Sequence, residues 1–227
     1  MTDGLLPINK PIGMSSFDVI RVFKRSTGFK GKIGHAGTLD VFASGVVILM
    51  LGSATKTFDT LQDRQKSYRA SARLGYSSTT LDIEGALTDQ PNDQRTTFAD
   101  IINASQKFIG EQEQAVPFYS AAKQDGQPLY KLARTNQRII PKSKQVTIYD
   151  ISVVAYKYPL VTFDVTCSSG TYIRQLSLDL FHALNLESFL FALERTKVGN
   201  ITLQHCCQLE QLNTPEWEQF VLEVGSL

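Results

Sequence analysis

The chain has 227 residues, 42% of them hydrophobic and 20% charged, with a net charge of +1. That balance supports one sizeable core or two small ones and excludes a disordered polyelectrolyte. The first nine residues hold no basic segment ahead of a long apolar run, and no window reaches about eighteen consecutive apolar residues. Neither a secretory signal nor a membrane span is therefore read, and a cytoplasmic protein is expected. The three cysteines, Cys167, Cys206 and Cys207, lack the paired spacing of a zinc site even with His205 alongside, and suit reduced thiols.

In chain order, Ser16 is expected to cap a helix running to about Thr27, with Val19, Ile20, Val22 and Phe23 as its apolar stripe and Gly28 as its terminator. Arg21, Lys24, Arg25, Lys30 and Lys32 make a first basic stretch here. The segment GHAGTLDVFASG, Gly34 to Gly45, then sets one carboxylate, Asp40, among glycines and small residues, with His35 upstream of it. The run VVILML, Val46 to Leu51, follows with the content of a buried strand. A carboxylate where a loop enters a core element is costly without a partner, and such placements concentrate at functional sites. The competing reading is a turn aspartate bonded to its own backbone.

Further along, Tyr68, Ala70, Ala72 and Leu74 alternate with Ser67, Arg69, Ser71 and Arg73, a half-buried strand ending at Gly75. Helices are expected over Phe98–Phe108 and from Pro128 to about Thr135, and strands over Val146–Val154 and Val161–Cys167. Lys131, Arg134, Arg138, Lys142 and Lys144 form a second basic stretch with no acid between Asp125 and Asp150. Two such stretches make a nucleic-acid groove plausible, whereas either alone reads equally as a solvated face. The segment CSSGTYIRQL, Cys167 to Leu176, turns a strand into a helix with Thr171 as its expected cap. Tyr172 and Arg174 fall in the first turn, where N–H groups favour anions and an arginine can grip a carboxylate or phosphate, or make an ordinary surface salt bridge. From Glu210 onward the tail is acidic. No repeat or long linker divides the chain, and the irregular order of helices and strands argues for a single domain with an antiparallel or mixed sheet and packed helices.

Together these segments resemble the tRNA pseudouridine synthase B family. The resemblance rests on Asn9, Lys10, Pro11, Gly13 and Ser15, on GHAGTLDVFASG, on KSYRASARLG (Lys66 to Gly75), and on Thr80, Asp82 and Gly85. It continues through PFYSAAKQDGQPLYKLAR (Pro117 to Arg134), CSSGTYIR, Asp179 with Leu180, and Arg195 with Thr196. It implies the pseudouridine synthase fold, an α+β architecture with a mixed, mainly antiparallel central sheet and flanking helices. The implied reaction isomerises the T-loop uridine, position 55 of tRNA, to pseudouridine. By the same resemblance Asp40 is the essential aspartate, Tyr68 the active-site tyrosine and Arg174 the arginine that pairs with the aspartate. His35 would hold the RNA loop with its bases turned out, Asp82 would lie near the flipped nucleotides, and Tyr172 and Leu193 would stand around the pocket. Lys10, Lys131 and Arg134 are assigned to RNA, the last two within an RNA-gripping insertion at about 124–144.

Some positions depart from the family pattern: Val41 stands where proline is usual, Ser44 where threonine is common, and Phe181 and Asn185 where glycine is frequent. The chain ends at Leu227, which is expected to be too soon for a complete C-terminal RNA-binding module of the PUA type. A monomer is expected that binds the T-stem loop of tRNA, makes no membrane contact and needs no metal, nucleotide or redox cofactor.

Elementary chemistry agrees with these roles. The bond from N1 to the ribose must break, the base must rotate, and C5 must join the same ribose carbon with water excluded. A glycosidase directs water with a second carboxyl group, which this reaction does not need. One carboxylate either stabilises or attacks the sugar, or removes a sugar proton, and an opposing guanidinium keeps it ionised. Tyr68 can pack against the uracil or help place the C5 proton. Turning the uridine out of its stack costs a few kcal/mol, and a ring such as His35 can offset part of that by stacking. Two other classes compete. One is a tRNA-binding or folding-assisting protein with secondary or lost catalysis. The other is phosphoryl transfer through Asp40, disfavoured because no adjacent carboxylate would hold Mg²⁺ and no phosphate-binding glycine loop is present.

Overall fold

The computed structural model describes residues 2–90, 96–135, 139–140 and 142–226. Arg138 of the second basic stretch lies outside the described residues. The first elements are β1 (Gly4–Lys10), α1 (Ser16–Thr27), β2 (Ile33–Ala36), β3 (Ser44–Leu51), α2 (Phe58–Gln62) and β4 (Lys66–Leu74). There follow β5 (Tyr76–Ser78), β6 (Leu87–Asp89), α3 (Phe98–Gln106), β7 (Gly110–Ala115), β8 (Lys123–Gln124), β9 (Gln127–Pro128) and α4 (Leu129–Arg134). The remainder is β10 (Ser143–Lys157), β11 (Leu160–Cys167), α5 (Ile173–His182), β12 (Ser188–Val198) and β13 (Ile201–Thr202), followed by short 3-10 turns. The described chain forms two compact units, one up to Arg69 and again from Leu193, the other Ala70–Ala192. Strands β4 and β12 each run from one unit into the other.

In the first unit, β3 takes β1 and β2 as antiparallel partners and β12 as a parallel one, through Glu194 opposite Ser44 and Arg195 opposite Gly45. The apolar run read from the sequence is this central strand, and Val46 to Leu51 are all buried. At about 1.5–3 kcal/mol for each large apolar side chain removed from water, β3 is the main organiser of this unit. Leu5, Ala36, Val46, Ile48, Met50, Leu61, Val198 and Ile201 share one cluster with it. Helix α1 covers the expected stripe, with Val19, Ile20 and Phe23 buried, and Phe23 meets Trp217 of the acidic tail edge-on at 5.0 Å between ring centres.

The cap of α1 differs from expectation by one residue. Ser15 is the N-cap, because Asp18 three positions later completes a reciprocal capping box with it. Ser16, expected as the cap, is instead the first helical residue, and its Oγ accepts the Leu39 N–H at 2.9 Å. The C-terminal end is as read, with Gly28 left-handed at φ 68°.

In the second unit, β11 and β7 flank β10 as antiparallel neighbours, while α3 packs on β10 and α5, and α5 on β7. Strand β4 shows the predicted alternation, its Tyr68, Ala70, Ala72 and Leu74 all buried. Helices α3 and α4 are shorter than expected by about a residue at each end or two at one. Thr171 does not cap α5: its Oγ1 donates to the Ser168 carbonyl at 2.9 Å within the preceding turn, and Tyr172 takes the N-cap position. Asn185, at a position read as commonly glycine, sits left-handed at φ 56°, a conformation asparagine tolerates better than most residues. The fold is α+β with a mixed, mainly antiparallel sheet and flanking helices, as expected. Among the described residues no helix is long and apolar enough to cross a membrane.

Candidate active site

The Asp40 loop belongs to the first unit and is tied down at nearly every residue. Asp40 is half-buried, and its carbonyl accepts the Ala43 N–H at 3.2 Å. On its upstream side Leu39 is held by Ser16, and on its downstream side Val41 O accepts the Gly13 N–H at 2.8 Å. Lys10, expected at the RNA, is fully buried here. Its ammonium donates to the carbonyls of Pro11 (2.9 Å), Met14 (2.8 Å) and Ala43 (2.5 Å), which draws the N-terminal element onto the loop. The N-terminal motif and GHAGTLDVFASG, far apart in sequence, are thus one local construction.

Around this loop, His35 lies in β2 opposite Leu49. Burial, and then the Arg195 guanidinium, hold its imidazole below the ordinary value of 6.5, so the ring is neutral at neutral pH. Its Nδ1 is buried without a hydrogen-bond partner in the described structure. Tyr68 and Leu193 are both buried at the ends of β4 and β12 that belong to this unit.

The second unit gathers Arg174, Asp82 and Tyr172. Arg174, on the first turn of α5, is buried, and its Nη1 lies 3.2 Å from Asp82 Oδ2. The same guanidinium donates to the carbonyls of Thr80 (2.8 Å) and Tyr119 (3.0 Å). Asp82 in turn accepts from the Thr80 hydroxyl at 2.5 Å and from the Glu84 N–H at 3.0 Å. A carboxylate and a guanidinium taken from water together need such additional hydrogen bonds to offset their desolvation. Leu81, next to Asp82, is left-handed at φ 65°, a strained state for a branched side chain of the kind that clusters at ligand sites.

Gln114, which carried no signal in the sequence, fixes the start of α5. Its side-chain oxygen accepts the Tyr172 N–H at 2.8 Å and its amide donates to the Tyr172 carbonyl at 3.1 Å. Tyr172 is left half-buried. Lys131 and Arg134 are exposed on α4, the Arg134 guanidinium 5.8 Å from the Tyr130 ring centre. Lys142 and Lys144 are exposed on the segment leading into and along β10. A cavity of about 270 Å³ opens beside the Arg174 carbonyl partners, between Thr80, Val116, Tyr119 and Gln175.

Cys206, Cys207 and His205 make local contacts. Burial pushes the Cys206 and Cys207 thiols up to about 12 and about 11, and the His205 Nδ1 accepts the Thr202 N–H at 3.0 Å.

The path of the chain is shared with a solved structure, the Cbf5-Nop10-Gar1 complex, at a TM-score of 0.75 and 24% identity over 97% of this chain. The present chain spans 60% of the chain it matches there. Residues 24–173, which carry the Asp40 loop, the Asp82 turn and the strand-to-helix junction before Arg174, match the N-terminal domain of the TruB family pseudouridylate synthases. By class the protein is a pseudouridylate synthase, an isomerase. Two relatives extend the match to nearly the full length: tRNA pseudouridine synthase B of Clostridium tetani, 36% identical over 97% of this chain and 76% of its own, and that of Burkholderia pseudomallei, 43% identical over 93% and 69%. The chain belongs to the TruB family, as its motifs led us to expect.

Proposed function

We propose that the protein isomerises the T-loop uridine of tRNA to pseudouridine, with Asp40 as the essential carboxylate. The observation that carries this reading is the Asp40 loop: a half-buried carboxylate whose neighbours on both sides are tethered, Leu39 by Ser16 and Ala43 by Lys10, in a chain of the TruB family. Such tethering suits a group that must meet one atom of a bound sugar. Small misplacements of a reacting group cost large factors in rate.

In this reading the Asp40 carboxylate offsets the positive charge that develops on the ribose as N1 departs. The detached uracil turns, C5 bonds to the same ribose carbon, N1 takes up a proton and the C5 proton leaves. Tyr68 and Arg174 are assigned to the chemistry. His35, neutral at working pH, stacks in place of an extruded base, a role for which a ring suffices. Asp82, Tyr172 and Leu193 shape the surroundings of the turned-out nucleotides. Lys131 and Arg134 hold phosphates of the T-stem loop, in the sequence-independent way that cations grip a backbone. Lys10 is reassigned from RNA contact to loop anchor, since its ammonium is spent on carbonyls inside the protein.

The test incubates unmodified tRNA transcript with the wild-type protein and with Asp40→Asn, and maps pseudouridine nucleotide by nucleotide. Product at the T-loop uridine with wild type alone, and RNA binding by both, is the expected result. Turnover by Asp40→Asn removes the aspartate from the mechanism. RNA binding without product from either protein supports a tRNA-binding or folding-assisting role instead.

A further inference from the structure

Arg195 is almost completely buried, yet it belongs to no part of the chemistry proposed above. Its guanidinium is spent on two main-chain carbonyls: Nε donates to Val46 O at 2.7 Å and Nη2 to Gly37 O at 3.1 Å. Gly37 precedes Asp40 and Val46 follows it, so one planar cation joins the two ends of the loop. An arginine fork makes such a two-point link with little loss of freedom per bond. The backbone at the same position adds a second connection, since Arg195 pairs with Gly45 where β12 lies parallel to β3. The approach is close. Gly45 is at φ 110°, and a Cβ built there would fall 2.3 Å from the Arg195 carbonyl oxygen.

Removing a guanidinium from water is expensive, and an apolar side chain would fill the same volume at lower cost. The cation is explained if the loop ends must be held at a set separation. We infer that Arg195 is a positioning residue for the reaction, a cross-tie that fixes the two flanks of the Asp40 loop and so the place of the carboxylate. The inference rests on the reading of Asp40 as the catalytic group. It differs from that reading in assigning a function to a side chain that never meets the RNA.

The experiment uses the full chain with Arg195→Met, which keeps length and burial but donates nothing, and Arg195→Lys, which keeps the charge but cannot span both carbonyls as a planar fork. Three quantities are read: the single-turnover rate at saturating tRNA transcript, the dissociation constant for that transcript, and amide hydrogen exchange of the 37–46 segment against the rest of the protein. The expected result is a rate lowered on the order of 10²-fold, with binding changed less than about threefold. Exchange should rise in that segment alone, and Arg195→Lys should fall between Met and wild type. If Arg195→Met does not fold, Arg195→Lys decides.

A folded variant with wild-type rate and wild-type loop exchange overturns the inference, as does a loss confined to RNA binding. Asp40→Asn is run alongside. If it retains turnover, the catalytic reading fails by itself, and loop exchange in the Arg195 variants still decides whether the cross-tie exists.

Discussion

At the scale of single residues, buried cations in each unit hold backbone. Lys10, Arg174 and Arg195 are all buried, and each donates to main-chain carbonyls. His35 is one group through which pH enters. Its folded-state affinity for protons is held below the ordinary value of 6.5 by burial and by Arg195. In the window below that value the unfolded chain therefore binds a proton at His35 that the folded chain refuses. Stability accordingly rises with pH through this window and falls on acidification. Urea unfolding followed from pH 7 to pH 5 should show this slope in wild type and a shallower one in His35→Gln. Equal slopes would mean that His35 titrates alike in both states.

Elements show where local pattern suffices and where it does not. Helix α1 was legible to its last residue because an apolar stripe, a capping pair and a terminal glycine all act within one segment. Only the cap was misplaced, since Ser15 and Ser16 are equivalent by type and Asp18 selects between them. Strand β7, GEQEQA, was not legible. Its side chains are polar on both faces, and pairing with β10, remote in sequence, makes it a strand. The same limit hid Gln114 and the role of Arg195, which was read only as part of a family motif, since their partners are carbonyls and N–H groups that no side-chain motif displays. By contrast Asp40, Tyr68, His35 and Arg174 were readable as candidates because their motifs carry the resemblance to the family. Gln114 provides the test at this scale. Helix α5 has no side-chain cap from its own N-cap residue, so Gln114→Ala strands the Tyr172 N–H, while the Tyr172 C=O keeps the Leu176 N–H. A loss of about 2 kcal/mol is expected, read as a lower denaturation midpoint with unchanged slope.

For the whole molecule, a net charge of +1 conceals separate basic stretches, and local fields rather than the total attract a polyanion. The exposed Lys131 and Arg134 on α4 are the point at which this is testable. Reversing both charges should weaken tRNA binding and flatten its dependence on salt by about 0.7 to 0.9 log units for each phosphate no longer neutralised. Binding that is normal at every salt concentration would show that α4 does not grip the backbone. Substitution of the buried Arg195 should leave that salt slope untouched, which separates the two kinds of cation in one titration.

The cross-tie from β12 also sets an order of events during synthesis. Asp40 and its loop leave the ribosome early, whereas Arg195, which joins the loop ends at Gly37 and Val46, is made 155 residues after Asp40. At about 5–20 residues per second, the nascent chain carries an unfinished loop for roughly ten to thirty seconds. If Arg195 sets the aspartate in place as inferred, it is translated after Asp40, Tyr68 and Arg174, and a truncated product stopping before β12, which lacks the strand as well as the cross-tie, should turn over RNA at least on the order of 10²-fold more slowly than the full chain.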